Sequence, residues 1–139
     1  MTIIAYDRKA VSVDSLISSG NIRAGSAEKF IALPQGGYAF ACGDWGASRS
    51  IFMALLASET PDASHYSDCT IITIDNNGKV WEQDGCPHKE PVRRAWAWGS
   101  GRELALGALL AGASSKKAAE IAAKYDSTCG GTVHTFTTR

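Results

Sequence analysis

The chain has 139 residues, 45% of them hydrophobic, and is long enough to bury the core of a single compact domain covering residues 1–139. Its 14 Lys and Arg residues balance its 14 Asp and Glu residues, and this zero net charge excludes a broad basic field for binding nucleic acid or an anionic membrane. Because charged side chains at residues 7–9 interrupt the start and no run of roughly 18 apolar residues follows, we expect no signal peptide, no membrane span and a cytoplasmic protein.

The first half of the chain predicts four strands followed by a helix. The strands cover residues 3–6, 10–13, 29–33 and 38–42. Polar or glycine-rich turns and loops separate them at residues 7–9, 14–15, 18–21 and 34–37. Asp44 is then a candidate N-cap, because apolar residues recur at helical spacing behind it, at Ala47, Ile51, Phe52, Leu55 and Leu56.

The second half predicts a hairpin, two helices and a last strand. After a polar connection at residues 58–68, strands at 69–74 and 79–82 flank Asp-Asn-Asn-Gly, the strongest hairpin signal in the sequence. A loop at 84–91 leads to a short strand at 94–98. Ser100 and Glu103 have capping-box spacing for a helix that Gly112 ends. A second helix begins at Ser114 or Ser115, and a loop at 126–131 precedes a strand at 132–138. This order predicts an α+β fold, with antiparallel sheets covered by helices.

Thr2 is the first candidate for chemistry. If Met1 is removed, Thr2 carries both a hydroxyl nucleophile and a free α-amine, whose reference pKa near ~8 suits a base at neutral pH. Taken alone, a Met-Thr start favours an ordinary edge strand, because such starts are common. The case for catalysis therefore depends on the rest of the chain.

Five segments, in order along nearly the whole chain, resemble the proteasome β-subunit family, N-terminal nucleophile (Ntn) hydrolases that include the bacterial HslV-type subunit. Thr-Ile-Ile at residues 2–4 resembles the mature start, and Phe-Ala-Cys-Gly-Asp at 40–44 resembles the strand and glycine of the oxyanion hole. Gly-Ser-Gly at 99–101 resembles the start of a core helix. Asp-Ser-Thr-Cys-Gly-Gly at 126–131 resembles an aspartate followed, after two residues, by Ser-Gly-Gly. The other matching positions are Asp14 and Lys29.

The resemblance implies a four-layer αββα sandwich and a threonine peptidase that uses no cofactor. Thr2 would be the nucleophile, with Lys29 as the cation beside it, Asp14 as the partner of Lys29 and the Gly43 N–H as the oxyanion donor. Ser100, Asp126 and the residue at position 129 would surround the nucleophile and its amine. Family members form homo-oligomeric rings that take polypeptide substrates from an ATP-driven unfoldase, so the resemblance implies these partners too.

Several positions depart from the family pattern. Cys129 stands where the family has serine, and a thiol is a weaker hydrogen-bond partner than a hydroxyl. The hairpin between Thr2 and Asp14 and the segment at 58–68 are short, and Ile3 replaces a usual threonine. An alternative register would place Met1 at the nucleophile's position and abolish catalysis. A non-catalytic proteasome-like shell or interaction protein and a small-molecule Ntn amidase therefore stay open as alternatives.

The cysteines give no sign of a disulfide framework or a metal site. The four cysteines are widely spaced and include no C-x-x-C pair, which favours reduced thiols. Cys86 with His88, and His65 with Cys69, are the only hints of metal-ligand spacing, and neither completes a set of four. We therefore expect no metal.

Overall fold

The computed structural model describes residues 2–19 and 22–138. Met1, whose removal the nucleophile hypothesis requires, lies outside the described residues, as do Gly20 and Asn21 of the predicted loop. The chain divides into two compact units, the first formed by Met1–Lys29 and Arg93–Arg139 and the second by Phe30–Val92.

The described residues form eleven strands and three α-helices, which confirms the predicted α+β class. The strands are β1 (Ile3–Tyr6), β2 (Ala10–Val13), β3 (Leu16–Ser19), β4 (Ile22–Ser26), β5 (Phe30–Ala32), β6 (Tyr38–Gly43), β7 (Cys69–Ile74), β8 (Val80–Asp84), β9 (Glu90–Pro91), β10 (Trp96–Gly99) and β11 (His134–Thr137). The helices are α1 (Trp45–Leu56), α2 (Arg102–Leu110) and α3 (Ser115–Tyr125).

The first unit is built on an antiparallel sheet with the strand order β10-β1-β2-β11. Every residue of β1 and β2 is buried. The sheet packs against α2 and α3 through a core of small and branched side chains: Ile3, Ala5, Ala97, Ala105, Leu109, Ala118, Ala119, Ala122 and Cys129. The alanines let the helices approach the sheet closely, so residues near both ends of the chain are held against the start of β1.

The prediction of a loop at residues 18–21 is wrong for Ser18 and Ser19, which belong to β3. This strand pairs with β4 as a separate two-stranded sheet, with a register shift between Ile17 and Ser18. All residues of β4 are exposed and include a glycine, so the segment lacks the alternation of apolar and polar side chains by which a strand is predicted.

The second unit is a five-stranded antiparallel sheet in the order β5-β6-β7-β8-β9, covered by α1. Asp44 caps α1 as predicted, with its Oδ2 accepting the N–H of Ala47 at 2.8 Å. The predicted hairpin at residues 75–78 is confirmed, with Asp75 Oδ1 accepting two turn N–H groups at 2.9 Å. The predicted connection at 58–68 instead contains a 3-10 helix, Ala63–Asp68, which Asp62 caps.

The predicted capping box at Ser100 and Glu103 is wrong. The N-cap of α2 is Gly101, and no side chain bonds to the first turn. Ser100 Oγ instead bonds to residues far away in the sequence. The Ser100 hydroxyl, which the local pattern assigned to the start of the helix, therefore forms tertiary hydrogen bonds instead.

Candidate active site

Thr2 is placed by the pairing of β1 with β10. Ile3 lies opposite Gly99 at the end of this pair, so Thr2 and Ser100 are neighbours just beyond it. Gly99 has φ +99°, and a Cβ built there would lie 2.1 Å from the Thr2 carbonyl oxygen. Only glycine allows the two backbones to approach this closely.

Ser100 Oγ lies at the centre of a group of hydrogen bonds around Thr2. The Thr2 N–H donates to Ser100 Oγ at 3.2 Å, and Ser100 Oγ lies 3.3 Å from the Thr2 carbonyl oxygen. The same oxygen lies 3.1 Å from Thr128 Oγ1 and 3.4 Å from Cys129 Sγ. The side chain predicted to support the nucleophile's amine thus contacts the nitrogen that becomes that amine.

Asp14 and Lys29 form a buried ion pair, with 3.0 Å between Lys29 Nζ and Asp14 Oδ1 and side-chain exposures of 2% and 0%. The Asp14 carboxylate also accepts the Ile3 N–H at 3.2 Å on Oδ1 and the Gly130 N–H at 3.0 Å on Oδ2. Removing two charges from water costs more than such a pair usually returns in stability. A buried pair bonded to the residue next to Thr2 is therefore typical of a functional site.

Asp126 reaches Ser100 through a residue that the sequence did not single out. Asp126 Oδ1 accepts both the backbone N–H of Thr128 at 2.8 Å and its hydroxyl at 2.6 Å. The hydroxyl oxygen of Thr128 in turn contacts Ser100 Oγ. An aspartate followed two residues later by threonine is a local Asx-type pattern, which was the one available signal for Thr128.

Cys129 is fully buried in the core of the first unit, beside Ser100. Burial raises the pKa of its thiol, Asp14 and Asp126 raise it further, and the Ser100 contact and Lys29 oppose them. The group is therefore a neutral thiol at pH 7. As an S–H donor and weak acceptor it gives Ser100 less support than a hydroxyl would.

The structure thus brings six of the seven predicted site residues into the first unit: Thr2, Asp14, Lys29, Ser100, Asp126 and Cys129. Gly43 belongs to the second unit, where it ends β6 with φ +103° beside the backbone of Asp68 and Cys69. Its role as an oxyanion donor stays a prediction.

Within residues 2–19 and 22–138, no group of three or more His, Cys, Asp or Glu side chains is arranged to hold a metal ion. In the same part of the chain, none of the helices combines the length and the apolar character needed to cross a bilayer.

The chain superposes on solved structures along nearly its whole length. It matches Thiobacillus denitrificans BPH in complex with epoxomicin with a TM-score of 0.73 at 19% identity, covering 98% of this chain and 96% of that one. It matches HslV from Trypanosoma brucei with a TM-score of 0.71 at 19% identity, covering 98% and 97%. The chain has the HslV-type fold.

The HslV-type fold confirms, for the architecture, the resemblance that the five segments indicated. A second structure of Thiobacillus denitrificans BPH also matches, with a TM-score of 0.71 at 18% identity over 99% of this chain. No family model and no curated protein matches the sequence. The similarity is therefore one of fold. The chemistry of this chain depends on its own side chains.

Proposed function

We propose that this chain, once Met1 is removed, is an N-terminal threonine peptidase that hydrolyses amide bonds in polypeptides. The observation that carries the proposal is the buried Lys29–Asp14 pair, bonded to Ile3 directly beside Thr2. The Ser100 hydroxyl, 3.2 Å from the Thr2 nitrogen, gives independent support.

The chemistry follows from these positions. Thr2 Oγ1 attacks the carbonyl carbon of the substrate amide, and its proton passes to the Thr2 amine, directly or through one water. The C–N bond then breaks, the departing amine takes up that proton, and an ester to Thr2 remains. Water hydrolyses the ester by the same route in reverse, which restores the hydroxyl.

The remaining residues stabilise charge and geometry. Lys29 favours the deprotonated state of the nucleophile, and Asp14 orients Lys29 through their 3.0 Å contact. The Gly43 N–H donates to the oxyanion, an interaction worth roughly 3 kcal/mol in other acyl-transfer enzymes. Ser100 and Asp126 position the amine, and Cys129 packs behind Ser100.

The proposal extends to the assembly. By analogy with the fold, the chain is a single domain of the four-layer αββα type and forms a homo-oligomeric ring in the cytoplasm. Its substrates are unfolded chains or peptides supplied by an ATP-driven unfoldase. These features are testable separately from the chemistry at Thr2.

The first experiment is an intact mass measurement of the purified protein, which establishes whether Thr2 is the N-terminal residue. Protein that has lost Met1 is then treated with epoxomicin, the ligand of the BPH complex. We expect one adduct on Thr2 that Thr2→Ala abolishes and Thr2→Ser retains. Thr137→Val, an exposed position on β11, is the matched control.

The outcomes separate the alternatives. Absence of an adduct on protein that lacks Met1 would overturn both enzyme hypotheses and leave the non-catalytic shell or interaction protein. If the adduct forms, turnover of unfolded polypeptides against small amides distinguishes a peptidase from a small-molecule amidase. Retention of Met1 under every expression condition would favour the register in which Thr2 is not the nucleophile.

A further inference from the structure

The loop after α3 carries a hydroxyl one residue before the position where the sequence pattern places it. Cys129 occupies the position expected for serine, and its buried thiol is a weak partner for Ser100. Thr128 Oγ1 lies closer to Ser100 Oγ, at 3.1 Å against 3.4 Å for Cys129 Sγ. Thr128 therefore offers the stronger acceptor at the shorter distance.

The direction of each hydrogen bond follows from counting protons. The Thr128 hydroxyl donates its single proton to the Asp126 carboxylate at 2.6 Å. In the contact between the two hydroxyls Ser100 is therefore the donor. Its one proton has two acceptors within reach, Thr128 Oγ1 at 3.1 Å and the Thr2 carbonyl oxygen at 3.3 Å, and Thr128 Oγ1 is the nearer. The lone pairs of Ser100 Oγ then remain available to accept the N–H of Thr2.

We propose that Thr128 is a positioning residue, which links Asp126 to Ser100 and so orients the Thr2 amine in place of the serine that Cys129 has replaced. The assignment rests on the proposed function for its catalytic meaning. The linked hydrogen bonds run from the Thr2 nitrogen through Ser100 and Thr128 to a carboxylate, and bonds in such a chain polarise one another. The Thr128 hydroxyl is thereby held towards Asp126, which leaves its oxygen facing Ser100 as an acceptor.

The charged and titratable groups around these linked hydrogen bonds determine in which direction the pKa of the Thr2 amine should change. Asp126 terminates this chain of bonds, Asp14 accepts the Ile3 N–H beside Thr2 and pairs with Lys29, and Cys129 is the neutral thiol beside Ser100. A carboxylate at the far end makes Ser100 Oγ a better acceptor and favours the protonated amine. Thr128→Val breaks the chain, so the pKa of the Thr2 amine should fall by about half a pH unit to one unit.

The test uses mature protein without Met1. NMR titration of the selectively labelled Thr2 amine gives its pKa, and the pH profile of epoxomicin adduct formation gives the rate. For Thr128→Val we expect the lower amine pKa, an acid limb shifted to lower pH by the same amount, and a plateau rate reduced by about tenfold or more. Thr128→Ser should retain the wild-type values, and Thr137→Val is the matched control for removing an exposed hydroxyl.

A wild-type amine pKa in Thr128→Val would overturn the proposal, as would a shift of equal size in Thr128→Ser. Because the NMR titration needs no reaction, it tests Thr128 even if wild-type protein forms no adduct. In that case the peptidase proposal fails while the positioning role is judged separately.

Discussion

The Asp14–Lys29 pair can be tested by replacing each partner in turn and then both. The Asp14 carboxylate accepts the Gly130 N–H on one oxygen, and Lys29 and the Ile3 N–H on the other. In Asp14→Asn the amide nitrogen must replace one of these oxygens and therefore faces the donors bound there. Either orientation places donor against donor at about 3 Å. In Lys29→Met the carboxylate still accepts the two backbone N–H groups.

The expected magnitudes follow from this difference. Breaking a buried pair by removing one partner costs about 3–5 kcal/mol. We therefore expect Asp14→Asn to lower the free energy of unfolding by about 4–5 kcal/mol and Lys29→Met by about 3 kcal/mol. Asp14→Asn with Lys29→Met leaves no buried charge and should cost no more than Asp14→Asn alone, a coupling of at least about 3 kcal/mol.

The assay is urea unfolding of the full chain, in which losses of this size shift the midpoint by about 1–3 M. Glu90→Gln is the control, since Glu90 pairs with His88 at 2.8 Å while both side chains are largely exposed. It should change the free energy of unfolding by less than about 1 kcal/mol. If the loss of unfolding free energy in the double variant equals the sum of the two single losses, the two side chains do not form a buried pair.

Three further predictions concern backbone fit, pH and thiol exposure. The Cβ of Gly99→Ala would overlap the Thr2 carbonyl, so this variant should lower the free energy of unfolding in urea by at least about 2 kcal/mol. Gly107 lies in α2 with open space around it, so Gly107→Ala should raise that free energy by about 0.5–1 kcal/mol. Equal effects of the two substitutions would contradict the close approach of Gly99 and Thr2. Burial opposes ionisation of Asp7, but the N–H groups of Ser115 and of residues 9 and 10 outweigh it and lower its pKa below 3.8. Asp7→Ala should therefore cost about 1–2 kcal/mol at pH 7. The pH-dependent part of this cost is complete above 3.8 and is lost as pH falls through the lower folded-state value, so a pH-independent cost in thermal unfolding would refute the bonds to the carboxylate. Iodoacetamide at pH 8 should label exposed Cys86 first and leave buried Cys129 unmodified in the folded chain, as mass spectrometry would show; equal labelling would contradict the burial.

Local chemistry decides which features the sequence predicted well. The Asp44 N-cap and the Asp75 turn depend on side chains that bond within a few residues, and both are observed. The helix predicted to begin at Ser114 or Ser115 does so, with Ser114 as its N-cap. The buried strands β1 and β2 were likewise predicted with their observed ends. The exposed strand β4 was missed because its side chains bury no face that would impose a pattern.

The site was predicted less evenly because its contacts span the chain. The resemblance led to Asp14, Lys29, Ser100 and Asp126, and the structure places all four around the start of β1. Local spacing gave Ser100 the wrong partner, since the contact with Thr2 has no sequence signature. Thr128 was not predicted because the family pattern places the hydroxyl side chain at position 129.

The site of the first unit joins residues that are made at opposite ends of synthesis. Thr2 contacts Ser100 across 98 positions, and Asp14 bonds Gly130 across 116. A ribosome-bound chain therefore contains Thr2 long before the loop at residues 126–131 exists, and contacts of such sequence separation form late in folding. The candidate site is therefore assembled only after almost all of the chain has been translated.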